Sequence, residues 1–276
     1  MKKPHWLRRS LSASGEIEST RRALRKFSVN TVCETANCPN LCECFQKKTA
    51  TFMILGTVCT RGCRFCSVEM GIPGSVELDE PLKICEAVRE LGLRHVVITS
   101  VTRDDLTDGG AAHYANVARY LRQTLNYVII ETLVPDFKGD SESLELVCKS
   151  GINIFAHNID TVPRLFNLVK PRADYERSIE VLNKAKLITR DISTKTGLML
   201  GLGETENEIF ITMKKLRAVD CEIITIGQYL RPAEGRLKER EFISPKIFEK
   251  YEEIAYNLGF KRVKSGPFVR SSYNVC

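Results

Sequence analysis

Three cysteines, Cys59, Cys63 and Cys66, lie within eight residues and directly follow an apolar run at residues 51–56. Three thiols on one short loop are too close together for independent disulfides, and they supply one ligand fewer than a closed zinc or iron–sulfur site takes. The spacing therefore predicts a metal site with one open position, where a cofactor can bind and receive an electron. A zinc knuckle whose fourth ligand comes from elsewhere in the chain is the alternative on spacing alone.

A second group of thiols precedes this loop: Cys33, Cys38, Cys42 and Cys44 occupy twelve residues. Four thiols in so short a stretch also indicate a metal site. Counting does not decide which of them are ligands. The first, second and fourth give the spacing C-x4-C-x5-C, whereas the first three give C-x4-C-x3-C. On spacing alone, Cys42 and Cys44 are alternatives.

The remaining cysteines and the start of the chain indicate in which cellular compartment the protein is expected. Cys85, Cys148 and Cys221 stand alone in apolar patterns, so they are predicted to be small buried hydrophobic residues. The first residues are basic but are not followed by an apolar stretch, so a secretory signal is not expected. Eleven cysteines in such a chain do not fit a disulfide framework, because the cytosol keeps thiols reduced. We therefore expect a cytosolic protein that binds metal.

The composition limits the classes of protein. The chain has 276 residues, of which 43% are hydrophobic and 27% are charged, as in ordinary globular proteins. No apolar run approaches the roughly 20 residues of a membrane span, so no membrane partner is expected. The net charge of +7 fits either an acidic partner or a solvated surface. A basic helix is expected at 19–25, but interleaved aromatic residues are missing there, so no nucleic-acid partner is expected.

Alternating strand and helix patterns must position the cysteine loops. The helix expected at 80–92 has Asp79 as a candidate N-cap, and a later helix opens with the capping box Thr205-x-x-Glu208. Six apolar strands that alternate with helices predict an α/β fold with a parallel sheet covered by helices. Chemistry is then expected at the carboxyl ends of the strands. The strand patterns are 51–56, 95–101, 127–134, 152–159, 196–202 and 222–229.

The spacing C-x3-C-x2-C, with Phe65 before the last cysteine, closely resembles the signature loop of the radical S-adenosylmethionine superfamily. The resemblance implies that Cys59, Cys63 and Cys66 hold a [4Fe-4S] cluster and that Phe65 lies at the cofactor. In that superfamily the open iron of the cluster chelates S-adenosylmethionine, whose reductive cleavage yields a 5′-deoxyadenosyl radical. It also implies a partial (β/α)6 TIM-type barrel, open on one side for a bulky substrate.

The earlier motif, Val32-Cys33-Glu34 followed by Ala36-Asn37-Cys38-Pro39-Asn40-Leu41 and Glu43-Cys44, is similar to the auxiliary cluster motif of the lipoyl synthase family. The resemblance implies that Cys33, Cys38 and Cys44 bind a second [4Fe-4S] cluster. The family usually has a small residue that is not a ligand at the position of Cys42, so exchange between Cys42 and Cys44 stays open. The stretch Arg270-Ser271-Ser272-Tyr273 resembles the family's terminal motif, which implies Ser272 as the fourth ligand. A serine oxygen is a poor permanent partner for cluster iron and can leave when the cluster opens.

The strand ends also resemble this family. A glycine pair, Gly109 and Gly110, is more often only a turn, but its position implies contact with the amino group of S-adenosylmethionine. Asn158, Asp160 and Lys195 lie in motifs whose resemblance implies cofactor contacts. The family usually has Glu where this chain has Asp160, and the shorter side chain reaches less far.

The loop after the sixth strand departs from the family. Arg231 stands where the family commonly has Gln, and the segment 233–237 lacks the usual histidine. We expect these departures to change loop contacts and to leave the chemistry unchanged. The implied domains are an N-terminal extension with the auxiliary ligands at 1–50, the partial barrel at 51–260, and a C-terminal extension with the serine ligand at 261–276.

The resemblance implies the insertion of two sulfur atoms at C6 and C8 of a protein-bound octanoyl group, with two S-adenosylmethionine molecules consumed and the auxiliary cluster as sulfur donor. The implied partners are an octanoylated lipoyl carrier domain or protein and a low-potential electron donor of the flavodoxin or ferredoxin type. One alternative is a radical enzyme that uses its auxiliary cluster for electron transfer or acts on another substrate. A zinc-ribbon module that binds nucleic acid is a second alternative, against which the six-strand pattern argues.

Overall fold

The structure is a computed structural model. It describes residues 2–8, 15–35, 38, 40–46 and 50–273. The side chains of residues 15–17, 42, 45 and 46 lie outside this description.

The chain divides into two compact units. The N-terminal unit comprises Ser10–Arg61 and Ser67–Phe155, and the C-terminal unit comprises Met1–Arg9, Gly62–Cys66 and Ala156–Cys276.

Each strand pattern expected from the sequence is present as a strand. The strands are β1 Thr51–Ile54, β2 Val58–Cys59, β3 Glu69–Met70, β4 His95–Ser100, β5 Ile129–Leu133, β6 Ile154–Ala156, β7 Ser193–Leu200, β8 Ile223–Gln228 and β9 Arg262–Gly266.

After residue 80 one α-helix lies between consecutive strands, except between β6 and β7, where there are two. They are α1 Gly15–Lys26, α2 Val32–Thr35, α3 Leu41–Gln46, α4 Glu80–Leu91, α5 Ala111–Thr124, α6 Ser141–Cys148, α7 Pro163–Val169, α8 Tyr175–Ile188, α9 Glu206–Ala218 and α10 Pro245–Asn257.

Within the described residues, seven strands form a sheet in the order β1-β4-β5-β6-β7-β8-β9. The pairs β1–β4, β4–β5, β7–β8 and β8–β9 are parallel, and the register of the first aligns Thr51 with Val97 and Ile54 with Ser100. Every residue of β1 and β8 is buried, as expected for parallel strands covered on both faces. The predicted α/β fold with a parallel sheet is confirmed.

In the N-terminal unit, α4 and α5 pack against each other. The apolar residues that set the predicted face of α4 are all buried, among them Ile84, Val88 and Leu91. Asp79 stands at the N-cap but its side chain does not cap the helix, because its backbone is already helical, with φ −90° and ψ −1°. Its carboxylate instead pairs with Lys83 at 3.1 Å.

The first 50 residues contain more helix than their pattern indicated. The basic helix expected at 19–25 is present in α1 and extends beyond both ends of that range. Ala23 and Leu24 are buried, and α1 packs on α3 and α4 within the N-terminal unit.

In the C-terminal unit, the capping box at the start of α9 is formed as predicted. The Thr205 hydroxyl accepts from the Glu208 N–H at 3.3 Å, and the Glu208 carboxylate accepts from the Thr205 N–H at 2.8 Å. The residues expected on the inner face of this helix, Ile209, Met213 and Leu216, are buried in the core of the unit.

The last strand of the sheet, β9, was not expected and falls inside the predicted C-terminal extension. It pairs in parallel with β8, and Val263 is its buried residue. A strand at the edge of a sheet buries few of its side chains. Its sequence is therefore mainly polar and shows no apolar run.

The lone cysteines are buried small residues, as predicted. Cys85, Cys148 and Cys221 are all buried, and burial raises the pKa of Cys148 and of Cys221 to about 12. In the part of the chain that the structure describes, no helix has the length and apolar character that a membrane crossing requires.

Candidate active site

Cys59 ends strand β2 in the N-terminal unit. Its Sγ accepts hydrogen bonds from the backbone N–H groups of Arg61 and Thr102, at 3.4 and 3.3 Å. Backbone N–H groups that donate to a cysteine sulfur stabilise negative charge there and help to set the potential of iron–sulfur clusters. The surroundings of Cys59 therefore suit a cluster ligand.

The turn that leads into this loop is held by buried charges. Leu55, directly after β1, has a left-handed backbone with φ 67°, which is uncommon for a leucine. Its N–H donates to the Glu80 carboxylate and its carbonyl accepts from the Arg103 guanidinium, both at 3.1 Å. Glu80 is itself hydrogen-bonded to His113 at 2.7 Å. These contacts outweigh the backbone strain and direct the chain toward Cys59.

Arg61 follows Cys59 and is the centre of a buried charge cluster. Its Nε and Nη2 donate to the two carboxylate oxygens of Asp104 at 2.7 and 2.8 Å, and Nη2 also donates to Asp136 at 2.7 Å. The Arg61 guanidinium holds the pKa of Asp104 below its usual range. The sequence motifs gave Arg61 no role. Its position between Cys59 and Cys63 was the available signal, but the partners lie 43 and 75 residues away.

Cys63, Phe65 and Cys66 belong to the C-terminal unit. The Cys66 N–H donates to the Cys63 carbonyl at 3.2 Å. Between them, the Arg64 N–H donates to the Val169 carbonyl and the Arg64 carbonyl accepts from Leu237, at 2.9 and 3.1 Å. Phe65 packs against the apolar core of this unit. The two backbone bonds of Arg64 thus fix this part of the loop on its own unit.

The cysteines of the auxiliary motif lie on α2, on α3 and between these helices, in the N-terminal unit. Cys33 is buried in α2, and burial raises the pKa of its thiol to about 11. The Cys38 N–H donates to the Cys33 carbonyl at 3.1 Å, and the Cys44 N–H donates to the Asn40 carbonyl at 2.9 Å. The side chain of Cys42 is outside the described residues, as are Ala36, Asn37 and Pro39 of the motif. The choice between Cys42 and Cys44 therefore stays a prediction.

The donor set fits iron–sulfur clusters. Among the described residues, no three His, Cys, Asp or Glu side chains are grouped as a metal site. The chemistry of the donors is nevertheless specific, since each of the two motifs offers at least three thiols, and thiolates are the ligands that [4Fe-4S] clusters use. Cys59, whose sulfur already accepts two N–H groups, fits this role most clearly.

The glycine pair before α5 is required by packing. Both residues have left-handed backbones, with φ 61° at Gly109 and 92° at Gly110. A Cβ on Gly110 would lie 2.4 Å from Leu55 Cδ1, and one on Gly109 would lie 3.1 Å from the Phe137 ring. The pair thus lets the start of α5 approach the turn at Leu55, which precedes the loop that begins at Cys59.

Asn158 and Asp160 follow β6 in the C-terminal unit. The Oδ1 of Asn158 is buried and has no hydrogen-bond partner among the described residues, so it is available to a cofactor. Asp160 instead pairs with Lys170 at 3.0 Å, and Lys170 also donates to the Asn158 carbonyl at 3.1 Å. Burial raises the pKa of Asp160, and the Lys170 ammonium opposes that shift.

Lys195 and the segment around Ser272 meet in the same unit. The Lys195 side chain is 1% exposed, and its Nζ donates to the Tyr273 carbonyl at 3.2 Å. The Tyr273 N–H donates to the Arg270 carbonyl at 2.9 Å, which closes a turn with Ser271 and Ser272 at its corner.

Comparison with known proteins identifies the class to which this fold and these motifs belong. Residues 53–216 match the model of the radical SAM superfamily. Among solved structures, methylornithine synthase aligns with a TM-score of 0.62 and 15% identity, over 92% of this chain and 72% of that one. A maturase of the [FeFe]-hydrogenase aligns with a TM-score of 0.63 and 14% identity, over 89% of this chain and 65% of that one. The chain is thus a radical S-adenosylmethionine enzyme by class.

Curated relatives narrow the class. A lipoyl synthase of Caldanaerobacter subterraneus is 50% identical over 274 residues, which cover 99% of this chain and 96% of the relative. One of Caldicellulosiruptor saccharolyticus is 50% identical over 272 residues, 99% of this chain and 95% of the relative. The chain belongs to the lipoyl synthase family. The fold class, the enzyme class and the cofactors predicted from the motifs, S-adenosylmethionine and two [4Fe-4S] clusters, are confirmed.

Proposed function

We propose that the two cysteine motifs divide the work of radical sulfur insertion. Cys59, Cys63 and Cys66 hold the cluster that binds S-adenosylmethionine. Cys33, Cys38, Cys44 and Ser272 would hold the auxiliary cluster, which would supply the inserted sulfur. The observation that carries the proposal is that both thiol motifs and the terminal serine occur in one chain that matches lipoyl synthases over 99% of its length.

The substrate explains why such cofactors are needed. Carbons 6 and 8 of an octanoyl chain carry unactivated C–H bonds, which the acid–base groups of a protein do not break at useful rates. The bound cofactors supply one-electron cleavage of S-adenosylmethionine, and two molecules are used for each product. The residues of the chain would hold these groups, exclude water and orient the octanoyl chain.

The residues expected at the cofactor have different roles in this proposal. Asn158 is supported as a direct contact by its buried Oδ1. Phe65 and the pair Gly109 and Gly110 shape the site, since each of them makes close packing contacts. Asp160 acts through its ion pair with Lys170, which also holds the carbonyl of Asn158.

The proposed partners follow from the reaction. The octanoyl group is presented by a lipoyl carrier domain or protein, and a donor of the flavodoxin or ferredoxin type supplies the electrons. We assign neither nucleic acid nor membrane to the reaction. A reducing compartment, the cytosol, is proposed because an oxidising one would pair the ligand thiols as disulfides. The division into 1–50, 51–260 and 261–276 is kept as a division by role, with ligands of the auxiliary cluster on both extensions.

The first test is the iron and acid-labile sulfide content of anaerobically reconstituted protein, with Mössbauer spectra, before and after turnover with an octanoylated carrier. Two [4Fe-4S] clusters require about eight iron and eight sulfide per chain beforehand. Loss of sulfide from one cluster after turnover supports its consumption. If both clusters keep their sulfide, the auxiliary cluster transfers electrons instead, and this proposal is wrong.

The second test separates the two motifs. Cys33→Ala is expected to cleave S-adenosylmethionine reductively and to make no lipoyl product, because only the auxiliary cluster loses a ligand. Cys85→Ala is the matched control, since Cys85 is also buried and lies outside both motifs. Chromatographic assay of 5′-deoxyadenosine and mass spectrometry of the carrier measure the two products. Normal lipoyl formation by Cys33→Ala would contradict the assignment.

A further inference from the structure

The segment that contains Ser272 lies against one face of β7. Lys195 and Gly197 are two residues apart on this strand, so both face the same side of the sheet. A Cβ on Gly197 would lie 2.9 Å from Ser271 Cβ, which shows that the segment approaches the strand closely at this point. Lys195 contacts the same segment at the Tyr273 carbonyl. The residues on either side of Ser272, Ser271 and Tyr273, therefore both contact strand β7.

The neighbouring strand fixes the start of this segment. A Cβ on Gly227 in β8 would lie 2.1 Å from the Val269 carbonyl oxygen, so only glycine permits the approach. The Arg270 guanidinium donates to the Gln228 carbonyl at 3.3 Å. The path of residues 269–273 is thus determined by contacts with β7 and β8, although the segment itself is a turn.

The contact of Lys195 differs in kind from the glycine contacts. A glycine permits an approach but does not attract the segment, whereas an ammonium that donates to a carbonyl forms a charge-assisted hydrogen bond. The Lys195 side chain is 1% exposed, and a buried ammonium group requires hydrogen-bond acceptors. The Tyr273 carbonyl, one residue after Ser272, is such an acceptor.

We infer that Lys195 is the positioning residue for Ser272: its ammonium holds the Tyr273 carbonyl and so presents the serine hydroxyl as a ligand of the auxiliary cluster. The inference rests on the proposed function, in which Ser272 is that ligand. It gives Lys195 a role different from the cofactor contact that its motif implied. Groups that orient a ligand in this way affect metal affinity without touching the metal.

The test measures how firmly the auxiliary cluster keeps its fourth iron. The full-length chain with Cys59, Cys63 and Cys66 all changed to Ala carries only the auxiliary cluster. Mild oxidation then converts clusters that lose an iron into three-iron clusters, which give an EPR signal. Lys195→Met, of similar length but without the ammonium, is expected to lower retention of the fourth iron by about tenfold, and Ser272→Ala is expected to lower it at least as much.

Two variants serve as controls. Lys195→Arg keeps a charged donor and is expected to restore retention at least in part. Lys264→Met makes the same change at an exposed lysine of β9 and is expected to match the parent chain. In the chain with both clusters, equilibrium dialysis should find that the affinity of Lys195→Met for S-adenosylmethionine is within about twofold of the wild-type affinity. The reason is that the Lys195 ammonium holds the Tyr273 carbonyl and does not bind that cofactor.

Retention of the fourth iron by Lys195→Met at the level of the parent would overturn the inference. Loss of S-adenosylmethionine affinity without loss of iron would do so as well and would return Lys195 to the cofactor site. Failure of the proposed function has different signatures: the parent chain holds no auxiliary [4Fe-4S] cluster, or that cluster keeps all of its sulfide after turnover.

Discussion

The backbone N–H of Arg61 donates to Cys59 Sγ, and the Arg61 side chain is only 7% exposed. Its charge is balanced by Asp136, whose side chain is 2% exposed, and by Asp104. A buried ion pair adds little net stability, but removal of one partner leaves a buried charge without compensation. At the scale of single residues, the position of the loop that begins at Cys59 therefore depends on two carboxylates, those of Asp104 and Asp136, that lie outside the cysteine motif.

Arg61→Met is expected to lower the free energy of unfolding by about 3–5 kcal/mol, because the carboxylate of Asp136 stays buried. Urea denaturation of the full chain before cluster loading measures this loss. Arg164→Met is the matched control, since Arg164 also forks to a carboxylate, that of Glu208, but its side chain is 54% exposed. Equal losses in the two variants would contradict the argument.

At the scale of elements, α9 shows how a helix end depends on both local and distant residues. The capping box of Thr205 and Glu208 is local and satisfies N–H groups of the first turn. Arg164, at the start of α7, adds a hydrogen bond to the same carboxylate. The Arg164 guanidinium and the Thr205 N–H lower the pKa of Glu208 from 4.5 to about 2.

The capping box should therefore weaken in acid. The folded-state pKa of Glu208 lies below its ordinary value, so the folded state favours the ionised carboxylate. Its contribution, about 1 kcal/mol for a helix cap, is present above pH 4.5 and is lost as the pH falls toward 2. Comparison of unfolding free energies of wild type and Glu208→Gln across this range measures it. In the Arg164→Met background the pH dependence should shrink, and an unchanged dependence would contradict the stated cause.

At the scale of the whole molecule, the sheet continues past the predicted end of the barrel at residue 260. Strand β9 covers the edge of β8, and the segment with Ser272 begins only after it. An uncovered strand edge pairs readily with other chains. The predicted C-terminal extension thus contains two parts, a strand that completes the sheet and a turn that carries the proposed ligand.

Two truncations separate these parts. A chain that ends at Gly266 keeps β9 and is expected to fold and to cleave S-adenosylmethionine, but to form no lipoyl product. A chain that ends at Lys261 loses β9 and is expected to aggregate, because the edge of β8 is exposed. Size-exclusion chromatography and thermal unfolding compare the two. Equal solubility and cooperativity of both chains would show that β9 does not protect the edge.

Local sequence patterns were sufficient to predict many features of this protein. The apolar strands, the capping box of α9 and the buried lone cysteines depend on residues a few positions apart, so their patterns could be read directly. The cysteine spacing, together with the terminal serine, was sufficient to indicate the family. These features require no knowledge of distant contacts.

Only the tertiary structure decided which distant groups meet. Lys195 bonds to a carbonyl 78 residues away, Arg61 to carboxylates 43 and 75 residues away, and Asp160 to Lys170. Strand β9 was missed because an edge strand needs few apolar residues. The physical reason is common to these cases: hydrogen bonds and ion pairs depend on positions in space, and the chain brings such groups together only after its apolar elements have packed.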